Sequence, residues 1–298
     1  MTEITLLDGS IGQEIVKRSG SKPTPLWSTA VMMEQPEVVR AVHLEYFKAG
    51  ATIASTNTYA VHVDRLARVG LEEQHKTLLD TAMAEALAAR SEHGSGRVAV
   101  TLGPLGASYR PDLAPPLEEA RAAFSTIVTA LAPRADLFII ETVSSLNDAR
   151  GALSGCAATD KPVWLSITVN DDDGTKLRSG ESVSDLAQIV TDFAPAALLV
   201  NCSRPEAVAA ALDLIAPMGL PFGAYANGFT RISEGFLKEA PTVDALQERQ
   251  DLGPEAYAAF AMSWVAQGAT IVGGCCEVGP AHIKELAHQL KAAGHIIV

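Results

Sequence analysis

Cys275 and Cys276 stand side by side after the apolar run Ile271-Val272-Gly273-Gly274, and Cys202 closes a second run, Ala197-Leu198-Leu199-Val200-Asn201. Thiols delivered to the ends of two buried strands can share a soft metal ion, and three of them leave one coordination position open. Zinc is the natural occupant, and an open zinc site does chemistry where a closed one only staples the fold. Adjacent residues on a regular strand point to opposite faces, so Cys275 and Cys276 can hold one ion only where the strand ends and the chain turns. Gly273 and Gly274 permit that irregularity. Spacing alone leaves two readings equally open: a metal site, or three small buried hydrophobes of the kind free cysteine often is. Placement at strand ends favours the metal. Cys156, in an Ala/Gly-rich helix end, reads as a bystander.

Two acids fall at comparable places. Asp8 precedes Gly9-Ser10-Ile11 at the end of the first apolar run, and Glu141 lies in the fourth. Either one alone reads as a turn former or a helix cap. Together at one mouth they make a clamp for an ammonium group, and the backbone N–H groups of Gly9-Ser10-Ile11, leading into a helix, suit a carboxylate. An amino acid fits that pairing. Asn57 and Tyr59 are further candidates for the pocket wall, as is Asn227, for which a turn role is the plainer reading. The seven histidines form no ligand pattern. His43, His75, His282 and His288 fall in helical stretches, His295 lies in the tail, and His62 reads as an exposed loop residue.

These residues need a scaffold that gathers strand ends. Eight short apolar runs recur: Ile4–Asp8, Ala51–Asn57, Val98–Pro104, Leu137–Val143, Pro162–Val169, Ala197–Ser203, Pro221–Asn227 and Ala269–Cys276. Most are continuous rather than alternating, as in a parallel sheet covered on both faces. Helices separate them. One starts at Pro36, turns Val38, Val39, Val42 and Tyr46 inward, and stops at Gly50; others start at Pro254 and Pro280. Eight such units in this length predict a single (β/α)8 TIM barrel spanning residues 1–298, with a doubly wound open sheet as runner-up. In a barrel the C-terminal strand ends form the site, which collects Asp8, Asn57, Gly103, Glu141, Thr168, Cys202, Asn227, Cys275 and Cys276. Strands six and eight share parity, so Cys202 can approach the cysteine pair, and strand one closes beside them. The loops 111–116 and 171–180 are candidates to cover the mouth.

Composition narrows the partners. The chain has 298 residues, 48% hydrophobic and 19% charged, with a formal net charge of −12 and no Lys/Arg-rich run. That excludes nucleic acid and an anionic membrane surface as expected partners. The N-terminus lacks signal-peptide features and no apolar stretch is long enough to span a bilayer. Four cysteines, two of them adjacent, form no disulfide framework, so the expectation is a cytoplasmic protein with reduced thiols, a monomer or small homo-oligomer.

The same residues resemble the homocysteine S-methyltransferase family. Its landmarks run along almost the whole chain: Leu7-Asp8-Gly9-Ser10, Thr56-Asn57-Thr58-Tyr59, Glu141-Thr142, Val200-Asn201-Cys202, Gly273-Gly274-Cys275-Cys276 and Gly279-Pro280-Ala281-His282-Ile283. The resemblance implies a barrel in which Cys202, Cys275 and Cys276 hold Zn2+. It also implies that Glu141 and Asp8 bind the homocysteine amino group with Gly9-Ser10 near its carboxylate; Asn57, Tyr59, Thr142 and Asn227 are the further candidates for the substrate pocket. Ser10 stands where many members carry Gly or Ala, and Tyr59 does not align with the tyrosine that ligates resting zinc in betaine-using relatives. The implied reaction moves a methyl group from a cationic donor to the homocysteine thiolate, forming methionine. S-methylmethionine comes first among donors, then S-adenosylmethionine, then betaine. A cobalamin-dependent methionine synthase needs folate and cobalamin domains for which 298 residues leave no room. Two other classes stay in view. A zinc hydrolase would use histidines and carboxylates to keep the metal electrophilic. A thiol- or zinc-binding protein would close the site with a fourth ligand and have no use for Asp8 and Glu141.

Overall fold

The computed structural model describes residues 1–20, 28–232 and 246–298. Its strands are β1 (Glu3–Leu6), β2 (Ile53–Ser55), β3 (Arg97–Leu102), β4 (Leu137–Val143), β5 (Val163–Ile167), β6 (Ala197–Asn201), β7 (Phe222–Tyr225), β8 (Ile271–Val272) and β9 (Ile296–Ile297). Between them run α1 (Ile11–Ser19), α2 (Ser28–Glu34), α3 (Pro36–Ala49), α4 (Val63–Ala67), α5 (His75–His93), α6 (Leu117–Leu131), α7 (Leu146–Cys156), α8 (Leu186–Phe193), α9 (Pro205–Ile215), α10 (Pro254–Ala266) and α11 (Pro280–Ala292). Pro36, Pro254 and Pro280 each open a helix, and Gly50 ends α3 at φ 113° with its N–H on the Phe47 carbonyl.

All strand pairs are parallel, in the order β2-β3-β4-β5-β6-β7-β8-β1-β9. The sheet curls until its first and last main strands meet: Thr52 N–H donates to the Leu6 carbonyl at 2.7 Å, and Ser55 N–H donates to the Asp8 carboxylate at 2.6 Å. A side-chain oxygen thus stands in for a ladder acceptor at the seam. This closure excludes the open doubly wound sheet and gives the (β/α)8 barrel.

The tail adds a strand that the apolar runs do not announce. Ile296–Ile297 pairs with Glu3 and Ile4 at the lower edge of β1, and Thr52 Oγ1 donates to the Val298 carbonyl at 2.7 Å. Three β-branched residues after Gly294 find the edge that β1 leaves free beneath the seam.

Two apolar layers hold the barrel. Leu7, Ile53, Ala99, Leu137, Ile139, Trp164, Ala197, Leu199, Tyr225 and Ile271 fill the interior, and a larger shell packs the helices onto the outside. His62 belongs to this shell's surroundings rather than to solvent. It is 1% exposed, stands edge-on to Phe124, and its imidazole is pushed down to about 3, chiefly by burial. Its place after Val61, itself fully buried, explains why a loop position turns inward.

One buried tyrosine ties the outer shell to the strand ends. Tyr257 on α10 donates to the Gly273 carbonyl at 2.6 Å and accepts from Ala226 N–H at 3.0 Å. Both partners lie just beyond β7 and β8. The variant Tyr257→Phe strands these backbone groups inside the protein, and denaturant unfolding should show a loss of about 1–3 kcal/mol. An unchanged midpoint would mean that the turn is held by its other contacts alone.

Candidate active site

The strand ends after β6 and β8 converge as the glycine-bearing turn requires. Cys202 follows β6 at φ 48°, and its carbonyl accepts from Thr168 Oγ1 at 3.1 Å and from Arg178 at 3.4 Å. Arg178 is locked in turn by a bidentate pair with Asp171, both nearly buried, so the 171–180 segment braces Cys202 from behind. Beyond β8 the chain leaves the sheet: Cys275 N–H donates to the Ala226 carbonyl at 2.9 Å, and Gly228 N–H to the Cys276 carbonyl at 2.8 Å. Glu277 adopts φ 62°, its N–H bonded to Gln13 Oε1 at 2.7 Å and its carboxylate to the Gln13 amide. The turn swings both cysteine side chains to one side, and all three sulfurs lie within 4.8 Å of one another.

Soft thiolates at that mutual distance fit a tetrahedral zinc or similar ion with one position left for a further ligand. Cys202 and Cys275 have Cα atoms 5.8 Å apart and bring their sulfurs close enough to pair, with Cys276 beside them. A disulfide and a metal are alternative uses of the same two sulfurs, because only the thiolate is a ligand. Burial, then the neighbouring Glu277 and Glu141, push the Cys276 thiol up to about 12. Only a bound cation would make it a thiolate at neutral pH. Cys156 is buried in α7, away from this cluster.

A cavity opens in front of the sulfurs. Asp8, Gly9, Ser10, Asn57, Tyr59, Glu141, Thr142, Cys202, Cys275 and Cys276 all line it. Among the described residues no Lys, Arg or His does. Asp8 is 2% exposed, and burial raises its carboxyl to about 7 despite the Ser55 N–H bond. Glu141, half-buried and facing the cavity, is raised to about 8 by burial, with Asp8 adding repulsion; a hydrogen bond from Tyr225 Oη at 3.0 Å opposes the shift. Two carboxyl groups without a cation between them hold their protons, and an ammonium group placed there would release them.

Other expected contacts come out differently. Ser10 N–H donates to the Val278 carbonyl at 3.0 Å and Ile11 N–H to the Gly9 carbonyl at 2.9 Å, so both are already engaged by backbone. Ser10 Oγ is turned to Gln13. Asn227 is not on the cavity wall: its Oδ1 accepts from Phe229 N–H at 3.1 Å, the turn role, and its side chain is buried behind Cys202's loop. Asn57 lines the cavity while accepting from Ser28 Oγ at 2.6 Å, and Tyr59 Oη is bonded to Ser108 Oγ at 2.7 Å.

The structure adds residues that the motifs did not single out. Tyr225 reaches Glu141 from β7, and Tyr109 and Phe229 pack with Leu246 around Cys202, Cys275 and Cys276. Tyr225 was legible in principle, as a residue near the C-terminal end of the seventh apolar run. Tyr109 and Phe229 lie in loops whose course no periodicity reports.

A sequence model of the family described as Homocysteine S-methyltransferase matches residues 5–290. The chain is 30% identical over 305 aligned positions to Homocysteine S-methyltransferase of Escherichia coli (strain K12), covering 95% of this chain and 94% of that protein. It is 27% identical to Homocysteine S-methyltransferase YbgG of Bacillus subtilis (strain 168), covering 95% and 93%. The metallated crystal form of the E. coli homocysteine methyltransferase MmuM superposes with a TM-score of 0.81 at 29% identity, covering 96% of each chain.

The acid pair leaves a signature in stability. Asp8 and Glu141 bind a proton more tightly in the fold than in the unfolded chain, so their favourable contribution is complete below about pH 4 and is lost as pH rises through about 7 to 8. Unfolding of the ligand-free protein, followed from about pH 5 to about pH 9, should show that decline, and Glu141→Gln should flatten part of it. A wild-type profile as flat as that of the variant would contradict the burial of these charges.

Proposed function

The chain belongs to the homocysteine S-methyltransferase family and is an enzyme of that kind, and we propose that it uses zinc on Cys202, Cys275 and Cys276 to methylate homocysteine from a cationic donor, S-methylmethionine before S-adenosylmethionine and betaine. The observation that carries this reading is the sharing of one cavity by three clustered sulfurs and two buried carboxyl groups, with no basic side chain on the described wall.

When bound, zinc supplies the positive charge that keeps the substrate sulfur a thiolate near neutral pH. The chain's own residues do the rest. Asp8 and Glu141 take the ammonium group of homocysteine, losing their protons as it arrives. Gly9 and the first turn of α1 face the carboxylate with the positive end of a helix. These anchors fix the amino-acid end, so that the sulfur is held against the donor methyl instead of sampling the cavity; positioning of this kind supplies a large part of such a rate. Tyr109, Phe229 and Leu246 give the sulfur side an apolar wall that excludes water. The transfer forms a carbon–sulfur bond to homocysteine and breaks the one to the donor sulfonium, whose sulfur keeps the electron pair and becomes a neutral thioether. An acidic cavity whose described wall carries no fixed cation suits a donor that arrives positive and leaves uncharged. Among the described residues the hydrolase alternative finds no histidine at the sulfurs. The cavity and its acid pair likewise go unused in the reading as a simple thiol-binding protein.

The test offers S-methylmethionine, S-adenosylmethionine and betaine separately to zinc-loaded, reduced protein with homocysteine. Methionine should form from S-methylmethionine most rapidly, disappear on chelation, return with zinc, and be absent in Cys276→Ser along with bound metal. Glu141→Ala should keep its zinc while the KM for homocysteine rises by about tenfold or more. Zinc-loaded protein that makes no methionine from any of the three would sink the donor assignment.

A further inference from the structure

Glu141 points into the cavity because β4 is irregular beneath it. The β4–β5 register runs Ile140 to Leu165 and then Val143 to Ile167, so Glu141 and Thr142 together face the single residue Ser166. Two residues against one is a β-bulge, and a bulge leaves backbone unpaired while re-aiming a side chain. Thr142 carries the distortion: it is fully buried at φ 59°, a left-handed conformation that a β-branched residue resists. Its stranded N–H goes to Asn201 Oδ1 at 2.9 Å, its Oγ1 accepts from Asn201 Nδ2 at 3.0 Å, and Ser166 Oγ donates to the same Oδ1 at 2.8 Å. One carboxamide on β6 therefore grips both sides of the bulge, and the next residue along its own chain is Cys202.

We propose that Asn201 is a positioning residue for homocysteine: its side chain holds the Glu141–Thr142 bulge in the conformation that aims Glu141 at the substrate ammonium, from the same strand end that presents Cys202. The assignment rests on the proposed role of Glu141. Asn201 makes three bonds to the bulge and its partner residue, satisfying both functions of its carboxamide, so no smaller or apolar side chain can replace it. Tyr225 then fixes the carboxylate itself from β7. Backbone and side chain of Glu141 are thereby set by two different strands.

The test is a comparison of zinc-loaded Asn201→Ala, Thr142→Gly, the double variant N201A/T142G, and Glu141→Gln in the same assay. N201A should raise the homocysteine KM about tenfold while kcat at saturation falls less than about threefold and zinc content stays at one per chain. Glycine adopts positive φ unaided, so T142G in the N201A background should bring KM back to within about threefold of T142G alone. A KM that stays high in the double variant, or an N201A defect confined to zinc content, overturns the proposal. If N201A does not fold, the double variant carries the test: KM near that of T142G supports the role, and a tenfold higher KM or failure to fold overturns it. An E141Q enzyme with unaltered KM would instead refute the ammonium role of Glu141, a failure separate from that of Asn201.

Discussion

The turn after β1 and the turn after β8 lie backbone against backbone, and most of the site depends on that contact. Gly274 N–H donates to the Asp8 carbonyl at 2.9 Å, and Ser10 N–H returns a bond to the Val278 carbonyl. The approach is so close that a Cβ on Gly9 would overlap the Val278 oxygen and one on Gly274 would overlap the Val278 side chain. Glycine serves here for its lack of volume and not for its freedom in φ. The contact presses the cysteine turn against the residue that closes the barrel, since Asp8 spends a carboxylate oxygen on Ser55 across the seam. Barrel closure, the placement of Asp8 and the path of the Cys275 and Cys276 side chains thus share one piece of geometry. Tyr46 reinforces it from α3 through a bond to the same Val278 carbonyl at 3.2 Å.

Strain collects around that geometry. Among the described residues five non-glycine residues have positive φ: Tyr109, Thr142, Cys202 and Glu277 all border the sulfurs or the acids, and Ala194 serves as an ordinary helix end. Each such conformation costs about 1–3 kcal/mol and persists only where the surroundings over-determine it. The surroundings here are specific: Asn201 on Thr142, Thr168 and Arg178 on the Cys202 carbonyl, Gln13 on Glu277. None of these partners needs to touch a substrate. They hold functional side chains in directions that regular strands would not give.

The scaffold and the cysteines that gather at the strand ends were readable because their signals are local. Continuous apolar runs mark strands covered on both faces, and proline and glycine mark where α3, α10 and α11 begin and end. The cysteines were readable from type and strand-end placement together, not from spacing. What sequence order hides is the partner across the barrel. Tyr225 reaches Glu141 over 84 positions and Asn201 reaches Thr142 over 59, and nothing local to either residue announces the other. Asn227 misled for a related reason: a turn asparagine at a strand end can face the cavity or its own backbone, and here it bonds Phe229. His62 looked exposed because loops usually are, yet Val61 beside it is drawn wholly into the core and takes the imidazole with it. The Glu141 bulge could not be read at all, since its register exists only once β4 and β5 are paired.

The electrostatic character of the cavity explains why sulfur, and not histidine, is the apt ligand. Three thiolates around a divalent cation give a centre with net negative charge, which is a poor electrophile but leaves a bound thiolate electron-rich. On the function proposed above, such a centre would suit a cavity whose other charges are acidic and whose described wall carries no fixed cation, because each reactant would bring the balancing positive charge itself: the ammonium of homocysteine and the onium of the donor. The same logic makes the metal-free protein chemically different from the enzyme, not merely short of an ion. Without a cation the Cys276 thiol is held protonated by burial and by two acids, and Cys202 and Cys275 are close enough to join. On the function proposed above, metal, ammonium and donor would be mutually dependent occupants, each removing a desolvation penalty that the fold has built in for the others.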